Sequence, residues 1–285
     1  MDVTTTAPAP NATPTAQPAS EIGPAHPRAL GATIGVGALV FGIVESAERG
    51  WTNPMVLMSL VVAVVVLVAL VRHERAAEQP IIPLRLFNDR RRSGAYAARA
   101  LYLGAMMGFF FFTTQLMQDV FGFTAFQAGL GFLPMTAVNF AVATLLPRVA
   151  HRFGDAVPLV AGVILTLVGM GWLAEVNATS SYLSGVALPM VLIGAGQGLA
   201  FAPLTTFGIA AVRGEDASAA SGLVNTAHQL GMALSLAALV AAAANATQLV
   251  SQVSLALTWG TGLLTLCLVV VLAVIVPAYH RSTHA

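Results

Sequence analysis

The sequence contains no lysine and has little charge of either sign. All thirteen basic residues are arginine, and charged residues make up only 9% of the 285 residues, against about 25% in a typical soluble domain. Hydrophobic residues make up 57%, and the mean hydropathy is +0.80. So few polar residues cannot cover a water-facing surface, which excludes an ordinary soluble domain. The lysine-free, alanine-rich composition is typical of GC-rich coding DNA, and we expect a bacterial source.

Residues that carry covalent or metal chemistry are also scarce. Cys267 is the single cysteine, which excludes an intramolecular disulfide and a cysteine metal cluster. No Ser/His/Asp set is visible, and no basic stripe alternates with aromatic residues as in nucleic-acid-binding proteins. The glycines at 194, 196 and 198 follow no strand, so they do not form a dinucleotide-binding loop. We therefore expect no enzyme activity, no cofactor, no metal and no nucleic-acid partner.

Long apolar runs dominate what is present. Eight segments are long enough to cross a bilayer as helices, and the first is the shortest. Their runs are continuous rather than alternating, which favours helices over a β-barrel. The segments are approximately 29–44, 54–71, 94–117, 126–146, 156–174, 183–210, 217–244 and 255–278. The sequence thus predicts an all-α polytopic membrane protein with eight transmembrane helices.

The arginines predict the orientation of these helices. The stretch RHERAAEQPIIPLRLFNDRRR (72–92) holds six of them, and short arginine-rich loops stay cytoplasmic. With eight alternating helices, all the inter-helix arginines except Arg49 fall on this side, which places both termini in the cytoplasm. We divide the chain into a disordered cytoplasmic tail (1–28), two linker helices (29–71), a cytoplasmic arginine-rich loop (72–93) and a six-helix unit (94–280).

Polar residues inside the apolar segments are functional candidates because each is costly to bury in lipid. Arg99 lies about two turns into the third segment, where its side chain either reaches the membrane surface or faces a watery cavity and attracts anionic groups. The other candidates are Gln115, Asn139, Gln197, Asn225, His228 and Gln229. The last three lie on one helix face; hydrogen bonding that only holds the helices together is the alternative explanation.

Two further features bear on movement and on proton transfer. Pro134 and Pro203 lie inside apolar segments and should kink or break their helices. No Asp or Glu lies deep in any segment, although a proton-driven carrier normally needs a titrating group in its pathway. Either His228, which can titrate near neutral pH, takes this role, or the carboxylate belongs to a part that this chain lacks.

Several stretches together resemble a known transporter family. They are GALVFGIVESAERGW (37–51), LRLFNDRRRSGAY (84–96), FQAGLGFLPMT (126–136), LLPRVAHRFGDAVPLVAG (145–162) and GQGLAFAPLTTFGIAAVRGEDASAASGLVNTAHQLGMALS (196–235). They are similar to the drug:proton antiporters of the major facilitator superfamily, in the branch with fourteen helices. The resemblance covers about residues 29–280 and maps onto helices seven to fourteen, so the family's first six helices have no counterpart in the chain.

The resemblance implies roles for the candidate residues. Segments three, four, six and seven would line the substrate cavity, which places the six polar candidates in the substrate pathway. The stretch 145–162 resembles the second copy of the family's cytoplasmic signature loop, so Arg148, Arg152 and Gly154 would form a conformational switch. Glu215-Asp216 would open the seventh helix and favour its positive N-terminus.

Two functions remain open on this reading. The first is proton-coupled efflux of amphipathic drugs or other small organic molecules by alternating access, from the inner membrane, completed by an N-terminal six-helix half that a second chain could supply. The alternative is a non-transporting membrane protein, either a truncated product or a half-transporter that serves as a scaffold or regulator.

Overall fold

The computed structural model describes residues 27–76, 84–177, 179–210, 212 and 214–283. The expected tail at residues 1–28 lies almost wholly outside these described residues, as does the middle of the expected arginine-rich loop. The described part is built of helices and contains no strand. Its α-helices are α1 Pro27–Arg49, α2 Pro54–Ala76, α3 Arg90–Gln115, α4 Ala125–Gly131, α5 Leu133–Phe153, α6 Ala156–Ala174, α7 Leu188–Ile209, α8 Ala217–Ala243, α9 Leu249–Val270 and α10 Val276–Thr283.

Three π-helical turns extend helices that are already long enough to cross a bilayer core. Leu116–Val120 continues α3, Leu183–Ala187 leads into α7, and Val271–Ile275 joins α9 to α10. Seven helical stretches in the described residues are long and apolar enough to cross a membrane, and α1 adds the shorter apolar run Leu30–Ser46. At 23 residues, α1 is about 35 Å long, which also matches a bilayer core. The predicted all-α polytopic membrane fold is confirmed.

The helix boundaries differ from the predicted ones where charged residues occur. α2 runs on through Arg72 to Ala76, and α3 begins at Arg90, so helix ends occupy part of the expected loop 72–93. The early start of α3 has a local cause: the Asp89 carboxylate accepts hydrogen bonds from the backbone N–H groups of Arg91 (2.8 Å) and Arg92 (3.2 Å). A capped helix end accommodates these arginines outside the apolar stretch.

The two prolines behave differently from each other. Pro134 lies in the first turn of α5, and the chain restarts its helix there after the short α4, which fits the expected break. Pro203 lies buried inside α7, which runs without interruption from Leu188 to Ile209. Pro203 therefore does not break its helix, and of the two expected outcomes only a kink remains.

α3 and α7 form the centre of the bundle. α3 packs against α7, α8 and α9, while α7 also packs against α5 and α6. The α1–α2 hairpin lies outside this group and contacts it mainly through α8. The buried hydroxyls of Tyr102 and Thr166 link α3 to α6 by a hydrogen bond of 2.7 Å.

Glycines set the closest helix approaches. On α7, Gly194 and Gly198 face the backbone of α5, whereas Gly196 faces Gly162 and Thr166 of α6. Gly104 of α3 lies against Ser235 and Gly231 of α8. Any Cβ at these positions would clash with a neighbouring helix, so the small residues hold the helices at short distance.

Candidate functional site

One face of α7 carries the centre of the candidate site. Gln197, Phe201 and Thr205 are spaced at i, i+4 and i+8, which aligns them along one side of the helix. We call these three residues the α7 column. All three are at least partly accessible, and Phe201 is 39% exposed. The column meets polar side chains of α5 at one end and of α3 and α8 at the other.

Arg99 of α3 contacts the Thr205 end of the column. Its Nη1 donates to the Thr205 Oγ1 at 2.6 Å, and its Nη2 lies 3.4 Å from the His228 Nδ1. The guanidinium carbon lies 4.8 Å from the centre of the Phe201 ring, a cation–π geometry. Arg99 is only 5% exposed. Its side chain therefore points between α7 and α8.

Asn139 of α5 contacts the other end of the column. Its Nδ2 donates to the Gln197 Oε1 at 3.1 Å, and both side chains are half-buried. The two ends are eight residues apart on α7, or about 12 Å at 1.5 Å per residue. The site thus has a cationic end and a neutral amide end, with the Phe201 ring between them.

Of the three polar residues of α8, one contacts the α7 column and the other two are exposed. His228 is half-buried and, besides Arg99, contacts the Phe201 ring edge-on with centroids 6.4 Å apart. Asn225 and Gln229 are exposed beside His228. Their spacing puts all three residues on one face of the helix, as the sequence predicted. Gln115 is not part of this group, because it ends α3 sixteen residues after Arg99, about 24 Å further along the helix axis.

The expected switch residues lie at the C-terminal end of α5. We call this end of the bundle the arginine-rich end, because α3 also begins there, with Arg90. Arg148 and Arg152 are exposed, and Arg152 lies over the Phe153 ring at 5.5 Å. Among the described residues, the ion pairs do not include either arginine. Gly154 ends α5 with a φ of 74°, a conformation that favours glycine. A Cβ there would lie 2.7 Å from the Tyr279 hydroxyl.

Contacts at this end add to the role expected for Asp216. Asp216 occupies the N-cap position of α8, but its side chain makes no capping hydrogen bond. Its carboxylate instead accepts two hydrogen bonds from Arg85, from Nε at 3.1 Å and from Nη2 at 2.7 Å. A bidentate guanidinium pair is a stronger partner for a carboxylate than a neutral backbone N–H. The two residues are 131 positions apart, so no local pattern indicates the pair.

The structure adds residues that the sequence did not single out. Thr205 and Phe201 complete the surroundings of Arg99, and their spacing from Gln197 is the signal that identifies them in retrospect. Arg91 is a further case: its guanidinium lies 4.6 Å from the Phe207 ring centre and 5.1 Å from that of Tyr279. These contacts tie the start of α3 to the end of α7 and to α10, next to Gly154.

Comparison with known proteins supplies the family. A sequence model of the Major Facilitator Superfamily matches residues 29–236. The cephamycin export protein of Amycolatopsis lactamdurans is 34% identical over 90% of this chain and 54% of its own length. The multidrug resistance protein Stp of Mycobacterium tuberculosis is 32% identical over 72% of this chain and 38% of its own. The puromycin resistance protein of Streptomyces alboniger is 32% identical over 75% of this chain and 43% of its own length.

The chain thus spans about half the length of the first of these relatives and less of the other two. The matched region includes α3 to α7 completely and reaches into α8, so it contains the α7 column and each of its partners. The similarity therefore covers the candidate site as well as the bundle that positions it.

Proposed function

This chain belongs to the major facilitator superfamily, and we propose that it forms the C-terminal eight helices of a fourteen-helix exporter of amphipathic drugs or other small organic molecules. The observation that carries the proposal is the α7 column with its partners. Side chains of α3, α5, α7 and α8 converge there, and the resemblance assigns to these four helices the lining of the cavity. The relatives with export and resistance names support a small organic substrate.

The substrate pathway in this proposal runs along the α7 column. An amphipathic molecule would place apolar surface on the Phe201 ring and hydrogen-bond to the Asn139–Gln197 pair. Asn225 and Gln229, exposed on the edge of α8, would contact it from the side. The facing wall of the cavity would come from the six helices that precede the matched region in a full-length family fold, on the same chain or on another.

Alternating access requires a part that changes partners between two states. We assign this role to Arg148, Arg152 and Gly154 at the arginine-rich end. The exposed arginines are free to pair with carboxylates or helix C-termini of the facing helices in one state. Gly154 lies against Tyr279, so a movement of α5 relative to α6 would also move the contact with α10.

We further propose that export is coupled to protons and that both termini lie in the cytoplasm of a bacterial cell. His228 is the titratable residue placed beside the α7 column, and its Nδ1 can accept from Arg99 only when that nitrogen carries no proton. A carboxylate in the facing helices is the other source of a titrating group. The arginine-rich end would be the cytoplasmic one, following the charge rule for membrane proteins.

The test is a chimera in which residues 29–285 replace the matching region of the cephamycin export protein. We expect cells that lack their own exporters to accumulate less of a fluorescent drug when they express it, and a proton uncoupler to abolish the difference. Arg152→Ala should raise accumulation to the level of cells without the chimera, because the switch loses a charged contact. Arg72→Ala, an exposed arginine on α2, is the matched control.

Immunoblots of isolated membranes must show equal amounts of each variant. Normal export by the Arg152→Ala chimera would remove the role assigned to the switch. A chimera that inserts but never lowers accumulation would favour the alternative, a membrane protein that does not transport.

A further inference from the structure

We propose that Arg99, together with Thr205, His228 and Phe201, forms a subsite that binds the carboxylate of an amphipathic organic anion. The inference rests on the proposed function, because it assumes that the α7 column lines the substrate pathway. It goes further by naming the chemical class of the substrate and the side chain that recognises it. We call these four residues the Arg99 subsite.

The first observation is a buried charge that lacks a counter-charge. Arg99 is 5% exposed, and among the described residues no carboxylate forms an ion pair with it. A guanidinium group remains charged in proteins, and a charge inside a membrane protein is normally paired or faces a water-filled cavity. The partners that Arg99 does have, a hydroxyl, an imidazole and a phenyl ring, carry no negative charge.

The second observation is unused hydrogen-bonding capacity. A guanidinium group carries five N–H donors, and the described residues accept from Nη1 and Nη2 only. The Nε of Arg99 is buried without a hydrogen-bond partner. A carboxylate matches this arrangement, because its two oxygens can accept from two N–H groups of one guanidinium at once.

The neighbours of Arg99 fix the orientation of the guanidinium group. The Thr205 hydroxyl accepts from Arg99 and donates to the Phe201 carbonyl oxygen at 3.1 Å, so its own geometry is set by α7. The His228 ring holds the second nitrogen from α8. A guanidinium group held from two helices is pre-organised, which reduces the entropic cost of binding an anion.

The rest of the α7 column sets the shape of the ligand. Phe201 is exposed beside the guanidinium group and offers an apolar contact. The Asn139–Gln197 pair lies about 12 Å further along the helix and offers neutral hydrogen bonds. The fitting ligand therefore has a carboxylate at one end, an aromatic or aliphatic body, and a neutral polar group at the other.

The experiment compares two fluorescent probes that differ only in charge: dansyl-phenylalanine, a carboxylate, and its methyl ester, which is neutral. Binding to the purified full chain in lipid nanodiscs is followed by dansyl emission at pH 7. We expect the chain to bind the carboxylate about 10- to 100-fold more tightly than the ester, as hydrogen bonds to a charged group predict. Arg99→Gln should bring this ratio close to one.

Two further variants make the test independent of a folding defect in Arg99→Gln. Arg99→Lys retains the charge and should keep part of the preference, whereas Thr205→Val frees the guanidinium group and should reduce the ratio several-fold. Arg72→Gln removes an exposed arginine on α2 and should leave the ratio unchanged. A ratio that survives Arg99→Gln, or a wild-type chain that binds neither probe or both equally, would overturn the proposal.

The same measurement on the chimera identifies the source of the anion. If the preference for the carboxylate persists there, the subsite serves a ligand. If the preference is present in the chain alone but absent from the chimera, a carboxylate side chain of the facing helices pairs with Arg99. The proposed role of Arg99 in substrate binding is then wrong. Export of neutral drugs by the chimera does not depend on either result, so failure of the subsite and failure of the proposed function can be told apart.

Discussion

Arg85 and Arg99 are held in opposite ways in two regions of the same bundle. At the arginine-rich end, the side chain of Arg85 is 59% exposed and makes a bidentate pair with Asp216. Inside the bundle, Arg99 is almost completely buried, and the partners that its guanidinium contacts carry no negative charge. The charge that water already stabilises thus has a carboxylate, and the charge that lies in the apolar interior has none among the described residues.

This difference separates a structural arginine from a candidate binding residue. This ion pair is half-exposed: the Asp216 carboxylate is buried, but water and salt screen the Arg85 side chain, which weakens the pair. A buried charge must be stabilised by something, and neutral hydrogen bonds with a cation–π contact do so only in part. The comparison supports the proposed anion-binding role of Arg99, whereas Arg85 and Asp216 tie the segment before α3 to the start of α8.

The largest expected effect comes from forcing α8 away from α3 beside Arg99. A Cβ on Gly231 would lie 2.5 Å from the Ala100 Cα and 2.7 Å from its carbonyl carbon. Because this neighbour is backbone, it cannot move aside as a flexible side chain would. We expect Gly231→Leu to destabilise the chain by about 3 kcal/mol or more and to remove the preference for the carboxylate probe, since His228 is on the same helix.

The matched control is Gly222→Leu on the same helix, where an added Cβ meets nothing within 4 Å. Both variants exchange glycine for leucine in a helix, so propensity effects cancel between them. Thermal unfolding in detergent, followed by circular dichroism, gives the comparison. Equal melting temperatures for the two variants would show that α3 and α8 are not held at the close distance on which the Arg99 subsite depends.

A smaller effect is expected from breaking the half-exposed pair of Arg85 and Asp216. Asp216→Asn removes the carboxylate that Arg85 contacts, yet Arg85 can return to water. We expect a loss of about 1 kcal/mol in the free energy of unfolding, which shrinks at high salt because the exposed Arg85 charge is screened. Asp119→Asn, an exposed carboxylate at the other end of α3, controls for the change in net charge.

Denaturation at low and at high salt measures this difference directly. The loss of carboxylate preference caused by Arg99→Gln should depend less on salt, since screening is weaker for a buried group. If both substitutions show the same salt dependence, the two arginines are in similar surroundings and the contrast between them fails.

Most of the fold follows from the sequence, because a lipid bilayer requires every backbone polar group to be hydrogen-bonded within the protein. Continuous apolar runs favour helices in a membrane, so the apolar segments and their order could be predicted from the pattern of hydrophobic residues along the sequence. The helix ends could not. α1 reaches Arg49 and α3 begins at Arg90 because polar and charged residues continue a helix where it leaves the apolar layer, and a local cap such as Asp89 decides where it begins.

The site was predictable as a set of candidates and not as a set of contacts. Polar residues stand out in apolar segments, which identified Arg99, His228, Asn139 and Gln197. Their pairing depends on helix packing between positions 129 and 58 residues apart, respectively, which periodicity within one segment does not encode. Gln115 is also a polar residue in an apolar segment, but it lies away from the site. The sequence predicts which helix carries it and does not predict where along that helix the neighbouring helices supply polar partners.

The smallest expected effect concerns the amide end of the α7 column. Asn139 and Gln197 are half-buried, and one hydrogen bond of 3.1 Å joins them. Hydrogen bonds between membrane helices average about 0.6 kcal/mol, because polar groups also find partners in the unfolded state in the membrane.

A double-mutant cycle of Asn139→Ala and Gln197→Ala, measured by unfolding in detergent, should give a coupling energy of about this size. Binding of the neutral ester probe should fall in both single variants, since each amide is also placed to contact a ligand. A coupling above roughly 2 kcal/mol, beyond the largest such values known for membrane proteins, with unchanged ester binding, would show that this pair holds α5 to α7 and is not part of the binding site.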